Sequence, residues 1–327
     1  MKLKSASRCA AAAVLALPLL LAACSRQVEI RPDAETQKPV VLLVKDKNGD
    51  YWNTVKMGAE AAAKDFGAKL TFDGPGDESD VAGQQALIRQ YLAYGMDALI
   101  LAPDDYAVLA EDVDNVVRKG VPVVAVESEV ASERVSSFIG IDNYEAGRKA
   151  AAKLKELSGA KGRFVILSSA PGSRNAQQRE KGIVDELSGS PRMQVADTLY
   201  CGSDVSLCGV RTREALSGGG RPDGILALNA AAAVGAAREI ERMGLYGTVK
   251  LVAFENSPEE LEWLQEGVIQ ATLIQNPFTI GYLSVKTALE AAGRQKVEKR
   301  IVTETRVIDS ESMFWSDNQK MLFPFVQ

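Results

Sequence analysis

The stretch PVVLLVKDKNGDYWNTVKMGAEAAAKDFG, residues 39–67, decides the fold of this chain. Its first apolar run, residues 40–44, is short and β-branched, which predicts a strand buried on both faces. A polar turn follows and leads into a helix that places Trp52, Val55 and Ala59 on one apolar face. A strand, a loop and a helix in this order predict an open α/β domain, in which ligands bind beyond the carboxyl ends of the strands.

The loop between this strand and helix indicates the kind of ligand. It contains Lys45 and Asn48, and it is followed by two aromatic residues, Tyr51 and Trp52. It lacks the G-x-G-x-x-G pattern whose glycines let the backbone approach a pyrophosphate. Its composition favours a small polyhydroxylated ligand over a dinucleotide.

Composition excludes several classes of function. The 327 residues suffice for two domains of ordinary size, and the net charge of −5 without a basic stripe disfavours nucleic acid as a partner. The chain contains no histidine, which removes the commonest general base and most zinc sites. We therefore expect a protein that is not an enzyme and that needs no metal or other cofactor.

The first 23 residues have the pattern of a secretion signal. Basic residues precede an apolar run at 10–22, which is too short for a comfortable transmembrane span. The run ends in Leu-Ala-Ala-Cys, which resembles the bacterial lipobox, where the cysteine becomes the first residue and is acylated. We predict a lipoprotein anchored through Cys24 on the periplasmic side of the cell envelope, with residues 24–38 as a tether. An ordinary signal peptide is the alternative.

Two cysteines remain for the folded part of the chain, because Cys9 leaves with the signal and Cys24 takes the lipid. Cys201 and Cys208 lie seven positions apart. In an oxidising compartment this pair predicts a disulfide. A metal or redox site is the alternative, although the spacing is not C-x-x-C.

The remaining sequence alternates strands and helices, and the pattern begins twice. Alternation of this kind predicts parallel sheets with right-handed crossovers. The segment VVAVES at 123–128 matches LVAFEN at 251–256, each the fourth main strand of its half. We therefore predict two similar α/β lobes, which deliver the carboxylates Glu127 and Glu255 at equivalent strand ends.

Taken together, these motifs resemble the type I periplasmic binding proteins, in particular the ribose-binding branch that serves ABC importers. The resemblance covers residues 39–309 and is carried by the opening stretch and by GVPVVAVES, IGIDNYEAGRKAA, AQQREKGI, GILALNAAAAVGA and VAFENSPEELEWLQEGVIQATLIQNPFTIGY. It implies two Rossmann-like lobes joined by a three-crossover hinge. The implied N-terminal lobe comprises 39–141 plus 276–304, and the implied C-terminal lobe comprises 142–275 plus 305–327.

The resemblance also implies a ligand site between the lobes. Together with the first loop, it predicts nine contacts: Lys45, Asn48, Tyr51, Trp52, Glu127, Arg179, Asn229, Glu255 and Gln275. Glutamate replaces the family's aspartate at two of these positions and Lys45 replaces an uncharged residue. These departures argue against ribose itself.

Several of these residues also have a purely structural alternative. Trp52 has the helical spacing of a core residue, and Arg179 could pair with Glu180 or Asp185 on a helix surface. Glu127 and Glu255 stand where side chains often cap the next helix. We expect Arg179→Ala and Glu255→Ala to abolish binding and to leave the melting temperature without ligand nearly unchanged.

The predicted function is capture of a sugar or polyol between the lobes and its delivery to ABC permease subunits. Closure would be stable only when the ligand completes both halves of the site. The first alternative is a sensor that reports ligand occupancy to a membrane receptor or kinase. A glycosidase that uses Glu127 and Glu255 is a further alternative, but without histidine the chain lacks a nucleophile–base pair.

Overall fold

The computed structural model describes residues 37–323. The predicted signal peptide, Cys24 and nearly all of the predicted tether lie outside these residues. Within 37–323, no helix is both long enough and apolar enough to span a bilayer.

Twelve strands and ten α-helices alternate along residues 37–323. The strands are β1 (Lys38–Leu43), β2 (Ala68–Asp73), β3 (Ala98–Leu101), β4 (Val123–Val126), β5 (Ser137–Gly140), β6 (Gly162–Ser168), β7 (Met193–Tyr200), β8 (Gly224–Ala227), β9 (Lys250–Phe254), β10 (Ala271–Ile274), β11 (Arg300–Val302) and β12 (Arg306–Ile308). The helices are α1 (Asp50–Phe66), α2 (Val81–Tyr94), α3 (Ala110–Arg118), α4 (Asn143–Leu157), α5 (Arg174–Ser188), α6 (Val205–Ser217), α7 (Ala230–Arg242), α8 (Pro258–Glu266), α9 (Pro277–Ala292) and α10 (Ser316–Leu322).

The strands form two six-stranded sheets with equivalent orders. The first sheet is β2-β1-β3-β4-β5-β11 and is entirely parallel. The second is β7-β6-β8-β9-β10-β12, in which β12 alone runs antiparallel to its neighbour. We call the elements around these sheets lobe 1 and lobe 2. The predicted α/β fold with two similar parallel sheets is confirmed, whereas the residue boundaries of the lobes stay a prediction.

Both faces of each sheet are covered by helices. In lobe 1, apolar residues of α1 and α9 pack on one face and those of α2 and α3 pack on the other. In lobe 2, α4 and α5 cover one face, and α6, α7 and α8 cover the other. The central strands β3, β4 and β8 are therefore buried and without polar side chains, and the cavity lining follows strand ends.

Helices α1 and α9 of lobe 1 cross so closely that only glycine fits at the contact. A Cβ on Gly58 would overlap the carbonyl oxygen of Phe278, and a Cβ on Gly281 would overlap that of Val55. The two helices therefore pack backbone against backbone.

Lobe 2 repeats this contact between α4 and α5. A Cβ on Gly147 would overlap the carbonyl oxygen of Arg179, and a Cβ on Gly182 would overlap that of Tyr144. The two pairs of glycines occupy the same positions, the fifth residue of α4 and α9 and the ninth residue of α1 and α5. The repeat predicted from one strand motif therefore extends to the helix packing.

Candidate ligand-binding site

A cavity of about 860 Å³ lies at the carboxyl ends of strands from both sheets. This volume is within the range of small-molecule sites, about 300–1,000 Å³. Residues just beyond β1, β4, β6, β8 and β9 line it: Lys45, Glu127, Ser169, Asn229 and Glu255. The strand-end rule for α/β sheets thus locates the cavity correctly in both lobes.

Seven of the nine predicted contacts lie on the cavity wall: Lys45, Tyr51, Trp52, Glu127, Arg179, Asn229 and Glu255. The remaining two, Asn48 and Gln275, are outside the lining. Asn48 is exposed on the turn after β1, and Gln275 is buried directly after β10.

Glu127 is the centre of a buried network that joins the two lobes. Its Oε2 lies 3.0 Å from Nζ of Lys45 in lobe 1, and its Oε1 lies 3.4 Å from Nη2 of Arg179 in lobe 2. Asn175, in the first turn of α5, also donates to Oε1. Burial raises the pKa of Glu127, but the Lys45 ammonium and the Arg179 guanidinium together lower it below its ordinary value. Glu127 is therefore an ionised bridge between the lobes.

Three acceptor atoms of the protein surround the Lys45 ammonium, within 3.2 Å of its nitrogen. Its Nζ lies 3.2 Å from Ser173 Oγ and 3.2 Å from Asn175 Oδ1, in addition to its contact with Glu127. Burial lowers the pKa of Lys45, but the Glu127 carboxylate outweighs it together with Glu78 and Asp104, so that the pKa is raised. An ammonium carries three donors. Lys45 is thus fully engaged by the protein itself.

Arg179 is likewise surrounded by acceptors within the protein. Its Nε donates to Asn143 Oδ1 at 2.8 Å and its Nη1 donates to the carbonyl oxygen of Leu228 at 2.6 Å. The guanidinium also lies 4.6 Å from the centre of the Phe254 ring, a cation–π contact. Because Arg179 is only 2% exposed, the alternative of a surface ion pair is wrong.

The backbones of Glu127 and Glu255 adopt the same unusual conformation. Their φ values are 62° and 82°, in the left-handed region that non-glycine residues rarely enter. Each backbone N–H donates to the adjacent strand, to Ile139 at 2.9 Å and to Leu273 at 2.8 Å. Such conformations cost about 1–3 kcal/mol each and are concentrated at functional sites. The fold thus holds two equivalent carboxylates in strained positions at the cavity.

Glu255 differs from Glu127 in having no hydrogen-bond partner for its carboxyl group within residues 37–323. Burial and the nearby Glu260 raise its pKa to about 8, although Arg179 opposes the shift. Ser257 caps α8 through a capping box with Glu260, so the helix-cap alternative for Glu255 is wrong. The carboxyl of Glu255 lines the cavity and keeps its proton to a higher pH than an exposed glutamate does.

Tyr51 and Trp52 occupy different environments. The Tyr51 hydroxyl is buried without a partner in the described part of the chain, and burial together with Glu127 and Glu255 raises its pKa well above the ordinary value. Trp52 is 3% exposed, packs in the core of lobe 1 and donates from Nε1 to Glu78 Oε1 at 3.1 Å. The structure therefore places Trp52 mainly in the core, at the cavity edge.

Sequence reasoning missed the polar residues of lobe 2 that complete this network. Ser173, Asn175 and Asn143 were not among the predicted contacts. Ser173 precedes α5 and Asn175 lies in its first turn. The available signal was their position after β6, which is equivalent to that of the Lys45 loop after β1.

The predicted disulfide between Cys201 and Cys208 is present and buried. It closes the loop between β7 and α6 beside Asn229. The Asn229 amide donates to the carbonyl of Gly202 and to Ser203 Oγ, both at 3.2 Å, and its oxygen caps α7. The disulfide thus fixes one wall of the cavity.

Replacing both cysteines by alanine should lower the free energy of unfolding by about 2 kcal/mol, because the disulfide closes a short loop in the unfolded chain. Denaturant unfolding with and without reductant measures this loss in the natural protein. The double variant should show no effect of reductant. A reductant effect of equal size in the double variant would contradict the assignment.

Comparisons with known proteins agree with this architecture. The family described as "periplasmic binding protein domain" matches residues 40–296. The ribose import binding protein of Bacillus subtilis is 27% identical over 89% of this chain and 96% of its own length. The D-ribose/D-allose-binding protein of Pseudomonas aeruginosa is 28% identical over 88% of this chain and 94% of its own length.

A solved structure extends the comparison to three dimensions. The carbohydrate transporter solute-binding protein of Agrobacterium radiobacter, in complex with D-arabinose, superimposes with a TM-score of 0.84. It is 27% identical, and the match covers 88% of this chain and 99% of that one. These relatives are described as binding proteins, and none of the descriptions names a catalytic activity.

Proposed function

The chain belongs to the periplasmic binding protein domain family, and on that premise we propose that it captures a sugar or polyol between its lobes for an ABC importer. The relatives named for ribose, allose and carbohydrate transport support this assignment. The further proposals are that the permease subunits receive the closed protein and that Cys24 carries a lipid anchor in the periplasmic cell envelope.

The observation that carries the proposal is the set of polar groups left without partners around the cavity. The hydroxyl of Tyr51 is buried without a partner, and the half-buried carboxyl of Glu255 makes no hydrogen bond within residues 37–323. Buried polar groups are otherwise nearly always hydrogen-bonded, so these groups fit a ligand that supplies the missing bonds. Hydroxyl groups both donate and accept, and a polyol offers several of them in one small molecule.

The charges of the cavity favour an uncharged ligand. Lys45 and Arg179 are the buried cations of the wall, and acceptors of the protein surround the Lys45 ammonium and bind Nε, Nη1 and Nη2 of Arg179. A carboxylate on the ligand would compete with Glu127 for both cations. Lys45 is therefore a counter-ion of Glu127, and its presence does not favour an acidic sugar.

Closure of the lobes is coupled to the same residues. Asn175 and Arg179 of lobe 2 contact Glu127 of lobe 1, and Lys45 of lobe 1 contacts Ser173 of lobe 2. A ligand that binds Tyr51 in lobe 1 and Glu255 in lobe 2 adds to these cross-lobe contacts. It therefore stabilises the closed arrangement relative to any open one.

Thermal-shift screening against neutral monosaccharides, polyols and the matching uronic acids tests the proposal. A neutral ligand at a hundred times its Kd should add about 2.7 kcal/mol to the free energy of unfolding. We expect each uronic acid to bind at least about tenfold more weakly than its neutral parent, a difference of about 1.4 kcal/mol. Absence of any shift would contradict the sugar assignment, and a preference for the acids would contradict the role given to Lys45.

A separate experiment tests the lipid anchor. The full chain, expressed in a bacterium that processes lipoproteins, should partition into the membrane fraction, and Cys24→Ala should release it. Cys201→Ala serves as a control that removes a cysteine but leaves the lipobox. Equal membrane association of the two variants would contradict the anchor.

The pH dependence of stability gives a further prediction. The pKa of Glu255 is raised from 4.5 to about 8 by folding, so the unfolded chain loses this proton first and stability falls as pH rises between about 4.5 and 8. Glu260, with a pKa raised to about 7, acts in the same direction. Glu255→Gln should therefore reduce the fall in melting temperature between pH 5 and pH 8 and melt above the natural protein at pH 8. Glu262→Gln, on the exposed side of α8, should follow the natural profile; a Glu255→Gln profile that did the same would disprove the assignment.

A further inference from the structure

The cavity has two ends of different character. At its inner end the lining residues Lys45, Glu127, Asn175 and Arg179 are each at most 7% exposed and bind one another. The outer part is bounded by residues that reach the surface, including Arg238 and Glu259. These two form a bidentate ion pair, in which Nε and Nη2 of Arg238 each donate to one carboxylate oxygen of Glu259 at 2.9 Å.

Part of the lobe 2 lining outside this inner end is apolar and adjoins the polar residues Asn256 and Ser257. We define this outer wall by six residues: Ala230, Ala231, Val234, Pro258, Met321 and Leu322. The first three lie on one face of α7, at the spacing that brings helical residues to the same side. Pro258 begins α8 beside them.

The last helix of the described chain supplies the rest of the outer wall and is fixed in place. The amide of Asn256 donates to the carbonyl oxygen of Leu322 at 3.3 Å. Asn318 in α10 accepts from Arg306 Nη1 at 3.2 Å and donates to the carbonyl of Ser312 at 2.8 Å. Met321 and Leu322 are therefore held at the cavity by bonds to lobe 2 on either side.

The size of the cavity exceeds what one sugar ring fills. Its volume of about 860 Å³ is near the upper end of the range for drug-sized ligands, about 300–1,000 Å³. Tyr51 and Glu255, whose polar groups lack partners within residues 37–323, lie near Glu127 and Arg179 of the inner end, where we place the sugar ring. The outer wall then remains as apolar surface next to that ring.

We propose that the natural ligand is a glycoside, whose sugar ring binds Tyr51 and Glu255 and whose apolar substituent lies against the outer wall. This inference rests on the proposed sugar-binding function and extends it to the class of ligand. Burial of an apolar group contributes about 25 cal/mol per Å² removed from water, so an aromatic substituent has a measurable effect on affinity.

Paired probes separate the two parts of the ligand. Calorimetric titration compares methyl and phenyl β-D-glucopyranoside, β-D-galactopyranoside and β-D-xylopyranoside with the three free sugars. We expect the phenyl glycoside of at least one sugar to bind about tenfold more tightly than its methyl glycoside.

One substitution on the outer wall tests the location of the substituent. Ala231→Asp adds a carboxylate to the apolar wall at the second residue of α7, where an acidic side chain is compatible with the helix dipole. It should lower the affinity for the phenyl glycoside to that for the methyl glycoside, which should still bind. Ser206→Asp is the matched control, because Ser206 is the second residue of α6, is exposed and lies outside the cavity lining.

The outcomes distinguish this inference from the function on which it rests. A phenyl preference that Ala231→Asp removes and Ser206→Asp keeps supports the glycoside. Equal affinity for methyl and phenyl glycosides, a preference that Ala231→Asp keeps, or binding of free sugars alone overturns the outer subsite while the sugar-binding function stands. No binding of any of the nine probes or of the wider neutral screen overturns both.

Discussion

Arg179→Ala is expected to lower the free energy of unfolding by about 3–5 kcal/mol, because it breaks a buried ion pair by removing one partner. The substitution leaves Glu127 buried with Lys45 as its only cation. It also leaves Asn143 Oδ1 and the carbonyl of Leu228 without the donors that Arg179 provides. Denaturant unfolding without ligand measures the loss.

From the sequence alone we expected Arg179→Ala to leave the stability of the unliganded protein nearly unchanged. The structure predicts a large loss instead, because Arg179 is buried. Arg148→Ala is the matched control. Arg148 is exposed on α4 and pairs with Glu145 and Glu186 at the surface, where such pairs contribute at most about 1 kcal/mol. Similar losses for the two variants would show that the Glu127 network is not the stabilising feature described here.

Gly281→Val should also cost stability, by about 1–3 kcal/mol or more, because overpacking forces the surrounding structure to move. The added side chain meets the backbone of Val55 in α1, which cannot rotate away as a flexible side chain can. Gly147→Val should behave alike in lobe 2, since it meets the backbone of Arg179. Thermal and denaturant unfolding measure both.

Lys286→Val controls for the effect of valine on the helix itself. Lys286 is exposed on α9, so the change alters helix propensity without closing space between helices. We expect it to remain within about 0.5 kcal/mol of the natural protein. A loss for Gly281→Val no larger than this would mean that α1 and α9 separate easily.

Most of the fold could be predicted because its signals are local. The buried strand at 40–44 and the amphipathic helix after it have patterns visible within a few residues, and the capping box at Ser257 marks the start of α8. Strands β10, β11 and β12 were not predicted. Each has only three or four residues, and β11 and β12 pair with strands that are remote in sequence, so no local pattern specifies them.

Those residues of the candidate site whose positions follow from the sheet topology alone could be predicted from the sequence. Glu127 and Glu255 follow equivalent strands, and a repeated motif with a strand-end rule suffices to place both at the cavity. The partners of these residues were not predictable. Lys45 meets Asn175 across 130 positions of sequence, and Arg179 meets Glu127 across 52, so that nothing in either segment shows that its charge is already compensated.

The position of α9 and β11 in the chain has a consequence for biosynthesis. Both elements complete lobe 1, yet they follow β10, the fifth strand of lobe 2, in the order of synthesis. A nascent chain that ends at Ile274 therefore leaves the glycine face of α1 uncovered and β5 without its outer neighbour. Domains generally fold as units. Here the first lobe has to wait for the last part of the chain, so the two lobes are expected to mature together once the whole chain is available.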